Sequence, residues 1–321
     1  MASLKSLAKD TAIYGMSSII GRFLNYLLVP LYTAKISAAS GGYGVITNMY
    51  AYTALILVIL TYGMETTFFR FVNKEEENSE KVYHTVLCMV GTTSLLFIAL
   101  VFLFISPLSN MMGYADHPAY VWTMFVTVAI DAFQCIPFAY LRFKKRPLKF
   151  AAFKLLFIGM NILLNIVYYV FMDGHDVGYA FYINLVCTAS ITFCFYKEII
   201  EGFRGEKASW AETKVLVKKM LGYSWPILVL GIAGILNQTA DKILFPYIYK
   251  GANAHEQLGI YGAASKIAMI MAMITQAFRF AYEPFVFGNA KEKDNRKMYA
   301  SAMKYFVIFT LLAFLVVVGY M

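Results

Sequence analysis

The chain has 321 residues, of which 60% are hydrophobic, 17% aromatic and 15% charged, and its mean hydropathy is +0.61. Soluble domains are closer to half apolar and a quarter charged, so this composition excludes an ordinary soluble globular protein. The net charge of +9 would suit a nucleic-acid-binding protein if the chain were soluble. Here most basic residues lie in short loops between apolar segments, which is typical of a polytopic membrane protein and predicts no nucleic-acid partner.

A short basic amphipathic segment at residues 1–10 is followed by nine apolar segments. They lie near residues 11–34, 43–63, 84–106, 119–141, 150–172, 177–196, 222–247, 259–287 and 302–320. Each is long enough to cross a bilayer as an α-helix. No cleavable signal sequence precedes the first, so we expect it to act as a signal anchor. The sequence therefore predicts an all-α polytopic membrane protein with about nine transmembrane helices.

The first span is unusual because Arg22 and Asn25 lie near its middle. Together with Ser18 they follow i, i+4, i+7 spacing, which places them on one helix face. A charged side chain at that depth costs at least ~2.5–3.5 kcal/mol, so it usually faces a protein interior or a water-filled path. Two interpretations remain: an internal pairing of Arg22, or contact with an anion in a membrane cavity.

Lys and Arg residues are concentrated in alternate loops. They occur in the N-terminal segment and in the 2–3, 4–5, 6–7 and 8–9 loops, whereas the opposite side has only Lys35 and Lys250. The positive-inside rule then predicts a multi-pass protein of the cytoplasmic (inner) membrane with a cytoplasmic N-terminus.

The polar stretch at residues 197–221 contains the capping-box sequence S-W-A-E at positions 209–212. An apolar stripe beside Lys214 and Lys218 favours an interfacial helix that joins two halves. A solvated basic linker is the alternative.

An internal repeat relates the first and seventh spans. Pro30 matches Pro246, and G-G-Y-G at 41–44 matches G-I-Y-G at 259–262; a shift of 216 residues, from position 22 to 238, also places Asn25 opposite Asp241. Parallel repeats with a substrate path between them are a feature of transporters. We expect a six-helix lobe at residues 1–196, a cytoplasmic linker helix at 197–221 and the first three helices of a second, truncated lobe at 222–321.

Several polar residues lie within the apolar spans. The candidates for a substrate cavity are Arg22, Asn25, Lys154, Asp241, Lys242, Lys266 and Arg279, and the candidates for ion coupling are Asp131, Asp241 and Glu283. Each also has a structural interpretation. Lys154 could extend to the interface, Arg279 and Glu283 could pair with each other, and Asn161 and Asn165 could join helices by hydrogen bonds.

The excess of cations favours an anionic substrate, because guanidinium and ammonium groups bind phosphate well. The four cysteines lie inside apolar spans without a C-x-x-C pattern, so neither a metal site nor a cofactor is expected. No H-E-x-x-H, G-x-S-x-G or Walker A sequence is present, so the chain is predicted not to be an enzyme.

These features resemble a known family. The Arg-bearing first span ending in Pro, the link G-G-Y-G, the segment Y-G-M-E-T-T-F-F-R-F at 62–71 and the echo G-I-Y-G-A-A-S-K at 259–266 are similar to polysaccharide/O-antigen flippases. These belong to the multidrug/oligosaccharidyl-lipid/polysaccharide exporter (MOP) superfamily. The resemblance implies two six-helix lobes around a central cavity, in which Arg22 and Lys266 contact a pyrophosphate.

The resemblance also implies the function. Such proteins move polyprenyl-pyrophosphate-linked oligosaccharides across the cytoplasmic membrane by alternating access, for lipopolysaccharide O-antigen and other surface polysaccharides. The implied partners are the lipid-linked oligosaccharide, membrane lipids and the polysaccharide polymerase and export machinery. A multidrug/cation antiporter, a peptidoglycan-precursor flippase and a membrane polymerase or glycosyltransferase are the alternatives.

Overall fold

The computed structural model describes residues 24, 28–37, 41–73, 78–205, 209–249, 251, 253–266, 268–269, 271 and 295–319. Within these ranges the regular structure is helical. Five of the described helices are long and apolar enough to cross a membrane, and a sixth span results if one bent pair of helices is counted together. The prediction of an all-helical polytopic membrane protein is confirmed, whereas the described ranges do not establish nine spans.

Between residues 28 and 111 the described part of the chain forms five helices. They are α1 (Leu28–Lys35), α2 (Gly42–Thr61), α3 (Met64–Val72), α4 (Ser79–Leu103) and α5 (Ile105–Met111). α2 stops where Tyr62 and Gly63 adopt left-handed φ values of 31° and 71°. α4 starts at Asn78, whose side chain accepts a hydrogen bond from the Glu80 amide at 2.8 Å.

The middle of the chain forms the best-buried helix of the bundle and its neighbours. The helices are α6 (Pro118–Phe143), α7 (Pro147–Ile166, continued by the π-helix Val167–Phe171), α8 (Gly178–Cys194) and α9 (Tyr196–Arg204). Prolines in the first turns of α6 and α7 fit there because the first amides of a helix have no intrahelical partner. α8 and α9 meet at a bend of 51°.

Two long helices complete the described architecture. They are α10 (Trp210–Ile248, 39 residues) and α11 (Asn295–Gly319). The capping box predicted at Ser209 and Glu212 is present at the start of α10. The helix then runs through residue 222 without interruption, so the segment expected to lie along the interface and the seventh span form one continuous helix.

Apolar side chains pack into two main clusters toward opposite ends of the bundle. One surrounds Tyr32, Val45 and Phe181, on α1, α2 and α8. The other surrounds Phe68, Tyr83 and residues of α6, and it includes Leu216 and Met220 of α10. α10 therefore packs on the N-terminal helices, and its second half lies against α2.

Candidate functional site

The second half of α10 carries two of the predicted cavity residues side by side. The Nζ atom of Lys242 lies 3.2 Å from Oδ2 of Asp241 and donates to the carbonyl oxygen of Gln238 at 3.0 Å. The Tyr261 hydroxyl also donates to Oδ2 of Asp241. The Lys242 side chain is 12% exposed and that of Asp241 41%, so the carboxylate remains more accessible than its partner.

A polar side chain of α2 joins this group to the N-terminal helices. Asn48 is buried, and its Nδ2 atom donates to the carbonyl oxygen of Lys242 at 2.8 Å. Its Oδ1 atom accepts a hydrogen bond from the Tyr114 hydroxyl at 2.9 Å. A second link joins the hydroxyls of Tyr52 and Tyr247, also at 2.9 Å. These contacts fix the position of α10 beside α2 at the level of Asp241.

Lys266, the third predicted residue, belongs to the same group. It lies in the helical segment 254–266, which also supplies Tyr261, and it is half-buried. The charge of Lys242 acts on the Lys266 ammonium. The structure thus places Asp241 and Lys242 in contact, and Lys266 lies on the same helical segment as Tyr261, whose hydroxyl donates to Asp241. Such a group favours an anionic ligand, because like charges gain most from a bound counter-charge.

The segment 254–266 reaches α2 through a glycine contact. A Cβ atom on Gly44 would lie 1.7 Å from the His255 carbonyl oxygen, and one on Gly259 would lie 2.9 Å from the Gly44 nitrogen. The two backbones therefore approach closely, and the glycines at the contact belong to the two motifs G-G-Y-G and G-I-Y-G. Burial lowers the pKa of His255, so its imidazole is neutral at this contact.

Asp131 and Lys154 form a separate group within α6, α7 and α8. The Thr188 hydroxyl donates to Oδ1 of Asp131 at 3.2 Å, and the charge of Lys154 acts on Asp131. The Nζ atom of Lys154 lies 4.0 Å from the centre of the Phe138 ring. Lys154 therefore interacts with a neighbouring helix, which favours an interior role over simple extension to the interface.

Asn161 and Asn165 participate in an interhelical hydrogen-bond network. The Tyr32 hydroxyl donates to Oδ1 of Asn165 at 2.8 Å, and Nδ2 of Asn165 donates to the Asn161 carbonyl oxygen at 2.7 Å. All three side chains are buried. The prediction that these side chains join helices is confirmed for Asn165, which links α7 to α1, whereas the bond between Asn165 and Asn161 lies within α7.

The sequence interpretation missed an ion pair near the end of α6. Arg142 pairs with Glu65 of α3, and its guanidinium carbon lies 4.9 Å from the centre of the Phe69 ring. The charge of Glu65 also acts on Lys154. Glu65 belongs to the segment Y-G-M-E-T-T-F-F-R-F. A carboxylate in this largely apolar segment was the signal from which a cationic partner could have been predicted.

Four predicted site residues lie outside the described residues: Arg22, Asn25, Arg279 and Glu283. Their roles remain predictions. Across the part of the chain that the structure describes, no group of three or more His, Cys, Asp and Glu side chains is arranged to hold a metal ion.

The fold is that of membrane transporters. A MOP superfamily transporter from Pyrococcus furiosus, whose binding pocket is described as having reverse polarity, superposes with a TM-score of 0.64 at 15% identity over 98% of this chain and 74% of that chain. A multidrug resistance MATE family transporter of the MOP superfamily, in an inward-facing conformation, gives 0.68 at 14% identity over 96% and 72%. These likenesses concern the fold alone.

Sequence comparison identifies the family. A search of curated protein sequences finds no match. The sequence profile described as "Polysaccharide biosynthesis protein", however, matches residues 7–281, which is most of the chain. The chain therefore belongs to the polysaccharide biosynthesis protein family, and its fold is similar to that of MOP superfamily transporters.

Proposed function

We propose that the protein moves a polyprenyl-pyrophosphate-linked oligosaccharide across the cytoplasmic membrane by alternating access. The observation that carries the proposal is the group of Asp241, Lys242 and Lys266 beside α2. Two ammonium groups at one place in an apolar, membrane-spanning protein suit a phosphate-bearing head group, since few other substrates offset their mutual repulsion. Membership of the polysaccharide biosynthesis family supports a saccharide on that head group.

Asp241 has a defined part in this proposal. Its carboxylate lies next to Lys242 and accepts a hydrogen bond from Tyr261. In the empty site it balances part of the positive charge, which lowers the cost of holding two lysines in the membrane. A pyrophosphate would compete with this carboxylate for the ammonium groups. This competition lowers the affinity for the pyrophosphate and so allows its release.

In alternating access, the change between the inward-open and outward-open states would occur at the contact between helices that is formed by glycines. α2 and segment 254–266 touch at Gly44 and Gly259, and opening on that side requires this contact to break. The buried group of Asp131, Thr188 and Lys154 lies within the N-terminal helices and is our candidate for ion coupling. Arg22, Asn25, Arg279 and Glu283 remain further candidates from the sequence.

The proposal is tested with the intact protein in liposomes. A fluorescent polyprenyl-pyrophosphate oligosaccharide is added, and the label in the outer leaflet is bleached with dithionite to follow transfer between leaflets. We expect K242Q/K266Q to slow transfer about tenfold or more, because it removes charge-assisted hydrogen bonds of about 1.5–3 kcal/mol each. The matched control K145Q/K197Q removes two exposed lysines elsewhere and is expected to retain the wild-type rate.

Three outcomes would overturn the proposal. Equal transfer rates for wild type and K242Q/K266Q would remove these lysines from the substrate site. Failure of wild type to transfer the saccharide, together with uptake of a cationic dye in the same liposomes, would identify a multidrug antiporter instead. Preferential transfer of a peptidoglycan lipid precursor would assign the protein to that substrate.

A further inference from the structure

A lateral groove lies between α4 and the first half of α10, away from the group around Asp241. Its volume is about 750 Å³. α4 and the adjacent end of α2 contribute one wall and α10 the other. The lining residues are Tyr62, His84, Thr85, Cys88, Met89, Thr92, Thr93, Thr213, Val217, Leu221, Ser224, Trp225 and Leu228.

The groove wall is more apolar than its threonines suggest. The Thr85 hydroxyl donates to the Lys81 carbonyl oxygen at 2.8 Å, and the Thr93 hydroxyl donates to that of Met89 at 3.1 Å. The Ser224 hydroxyl donates to the Leu221 carbonyl oxygen at 3.2 Å. Because these hydroxyls satisfy carbonyls of their own helices, they present mainly methyl and methylene groups to the groove. An apolar occupant suits this wall.

The groove has the length of a lipid chain segment and an end at the membrane interface. From Thr213 to Leu228 it follows α10 for about 22 Å at 1.5 Å per residue. Trp225, in its wall, is 65% exposed, and Trp210 near its mouth is 86% exposed. Exposed tryptophans on a membrane-spanning helix fit a lipid-facing surface with one end in the head-group region.

Charge distinguishes the mouth of the groove from its wall. Lys81 of α4 and Glu212 of α10 lie 3.5 Å apart across it. Lys214 and Lys218 are exposed and follow Thr213 and Val217 on the same turns of α10. Beside the Lys81–Glu212 pair, α10 therefore carries two further lysines along one edge of the groove, about 100° round the helix from the residues of its wall. This net positive charge is complementary to an anionic lipid head group.

We propose that this groove binds an anionic phospholipid, with one acyl chain between α4 and α10 and the phosphate at Lys214 and Lys218. The proposal is independent of the proposed transport function. Along α10, Lys218 lies about 36 Å from Lys242, so one head group cannot occupy both places. The inner end of the groove adjoins Tyr62, where α2 is interrupted, so the bound chain also touches the break between α2 and α3.

The test uses Trp225 as its own reporter. The variant W122F/W210F leaves it as the sole tryptophan, and the intact protein is reconstituted in phosphatidylcholine vesicles containing brominated lipid, which quenches nearby indole fluorescence. We expect brominated phosphatidylglycerol to reach half-maximal quenching at a several-fold lower mole fraction than brominated phosphatidylcholine. K214Q/K218Q should remove this difference, and the matched control K145Q/K197Q should keep it.

A second variant tests the groove wall. V217F fills the groove without changing charge, and it should reduce the maximal quenching by phosphatidylglycerol while the protein still elutes as a single species. Equal quenching by the two brominated lipids, or a preference unchanged in K214Q/K218Q, would overturn the proposal. Displacement of brominated phosphatidylglycerol by a small mole fraction of undecaprenyl phosphate would assign the groove to the substrate's chain. No quenching by either lipid would show that a protein surface covers the groove.

Discussion

Asn165 illustrates how a single amide organises helices in an apolar interior. It accepts from Tyr32 and donates to the Asn161 carbonyl oxygen, with no exposed surface of its own. In hydrocarbon the alternative to these bonds is an unsatisfied polar group, although measured interhelical bonds in membranes are modest, about 0.6 kcal/mol on average.

We expect N165A to lower the free energy of unfolding by about 1 kcal/mol, because it removes two hydrogen bonds and leaves the Tyr32 hydroxyl buried without its acceptor. Thermal unfolding in detergent, followed by circular dichroism, measures the effect. Y32F removes one bond and its donor together, so its loss should be smaller. A larger loss in Y32F than in N165A would contradict the network.

For single residues, the sequence predicted which polar side chains join helices, but it did not predict their hydrogen-bond partners. Asn165 was identified as an interhelical side chain from its place in an apolar span. Its partner, Tyr32, is 133 residues away, and nothing local specifies that distance. Likewise Lys154 near the end of a span could extend to the interface or turn inward, and only the position of Asp131 on the packed neighbour favours the second.

At the scale of the helix, the contact between α2 and segment 254–266 depends on missing side chains. Gly44 faces the carbonyl oxygen of His255 with no room for a Cβ atom. Helices that meet in membranes commonly use small residues so that their backbones can approach.

We expect G44A to separate α2 from segment 254–266, since the obstacle is backbone and cannot rotate away. In a cysteine-free background, H255C should react with a polar maleimide several-fold faster when G44A is present. G234A is the matched control, because nothing lies within 4 Å of a Cβ atom there and alanine favours a helix. The same labelling rate in G44A and its parent would show that the helices do not touch in the membrane.

The sequence predicted where most of the described helices lie, but it did not predict that residues 210–248 form one continuous helix. The predicted second, fourth and fifth spans begin within three residues of α2, α6 and α7. Residues 210–221 were expected to lie along the interface because they are basic and amphipathic. They form the start of α10, which continues through residue 222 because the proline at position 226 does not end the helix and Leu216 and Met220 pack into the core.

At the scale of the whole molecule, orientation follows from loop charge. The predicted spans place the basic segments 142–149 and 197–219 on the same side of the membrane. We expect alkaline phosphatase fused after residue 145 to be inactive and the same enzyme fused after residue 115 to be active, because it requires an extracytoplasmic location. Reversed activities would contradict a cytoplasmic N-terminus.

The helical architecture could be predicted from the sequence because few backbone structures can span a lipid bilayer. Long apolar segments must be helices, and the match between G-G-Y-G and G-I-Y-G indicated that two parts of the chain are related. The candidate site was predictable only as a set of residues. That Asp241 meets Tyr261, while Asp131 and Lys154 form another group, depends on how helices rotate about their axes, which composition does not specify.

The continuity of α10 gives the molecule a mechanical property. A 39-residue helix is about 58 Å long, and a tilt of about 5° around its middle would move each end by about 2.5 Å. One end is tied by the ion pair of Glu212 with Lys81, and the other by the bond from Asn48 to Lys242. Because the helix is continuous, a tilt that breaks the contact at one end also displaces the other end, and the prolines at 226 and 246 are the positions at which the helix can bend instead.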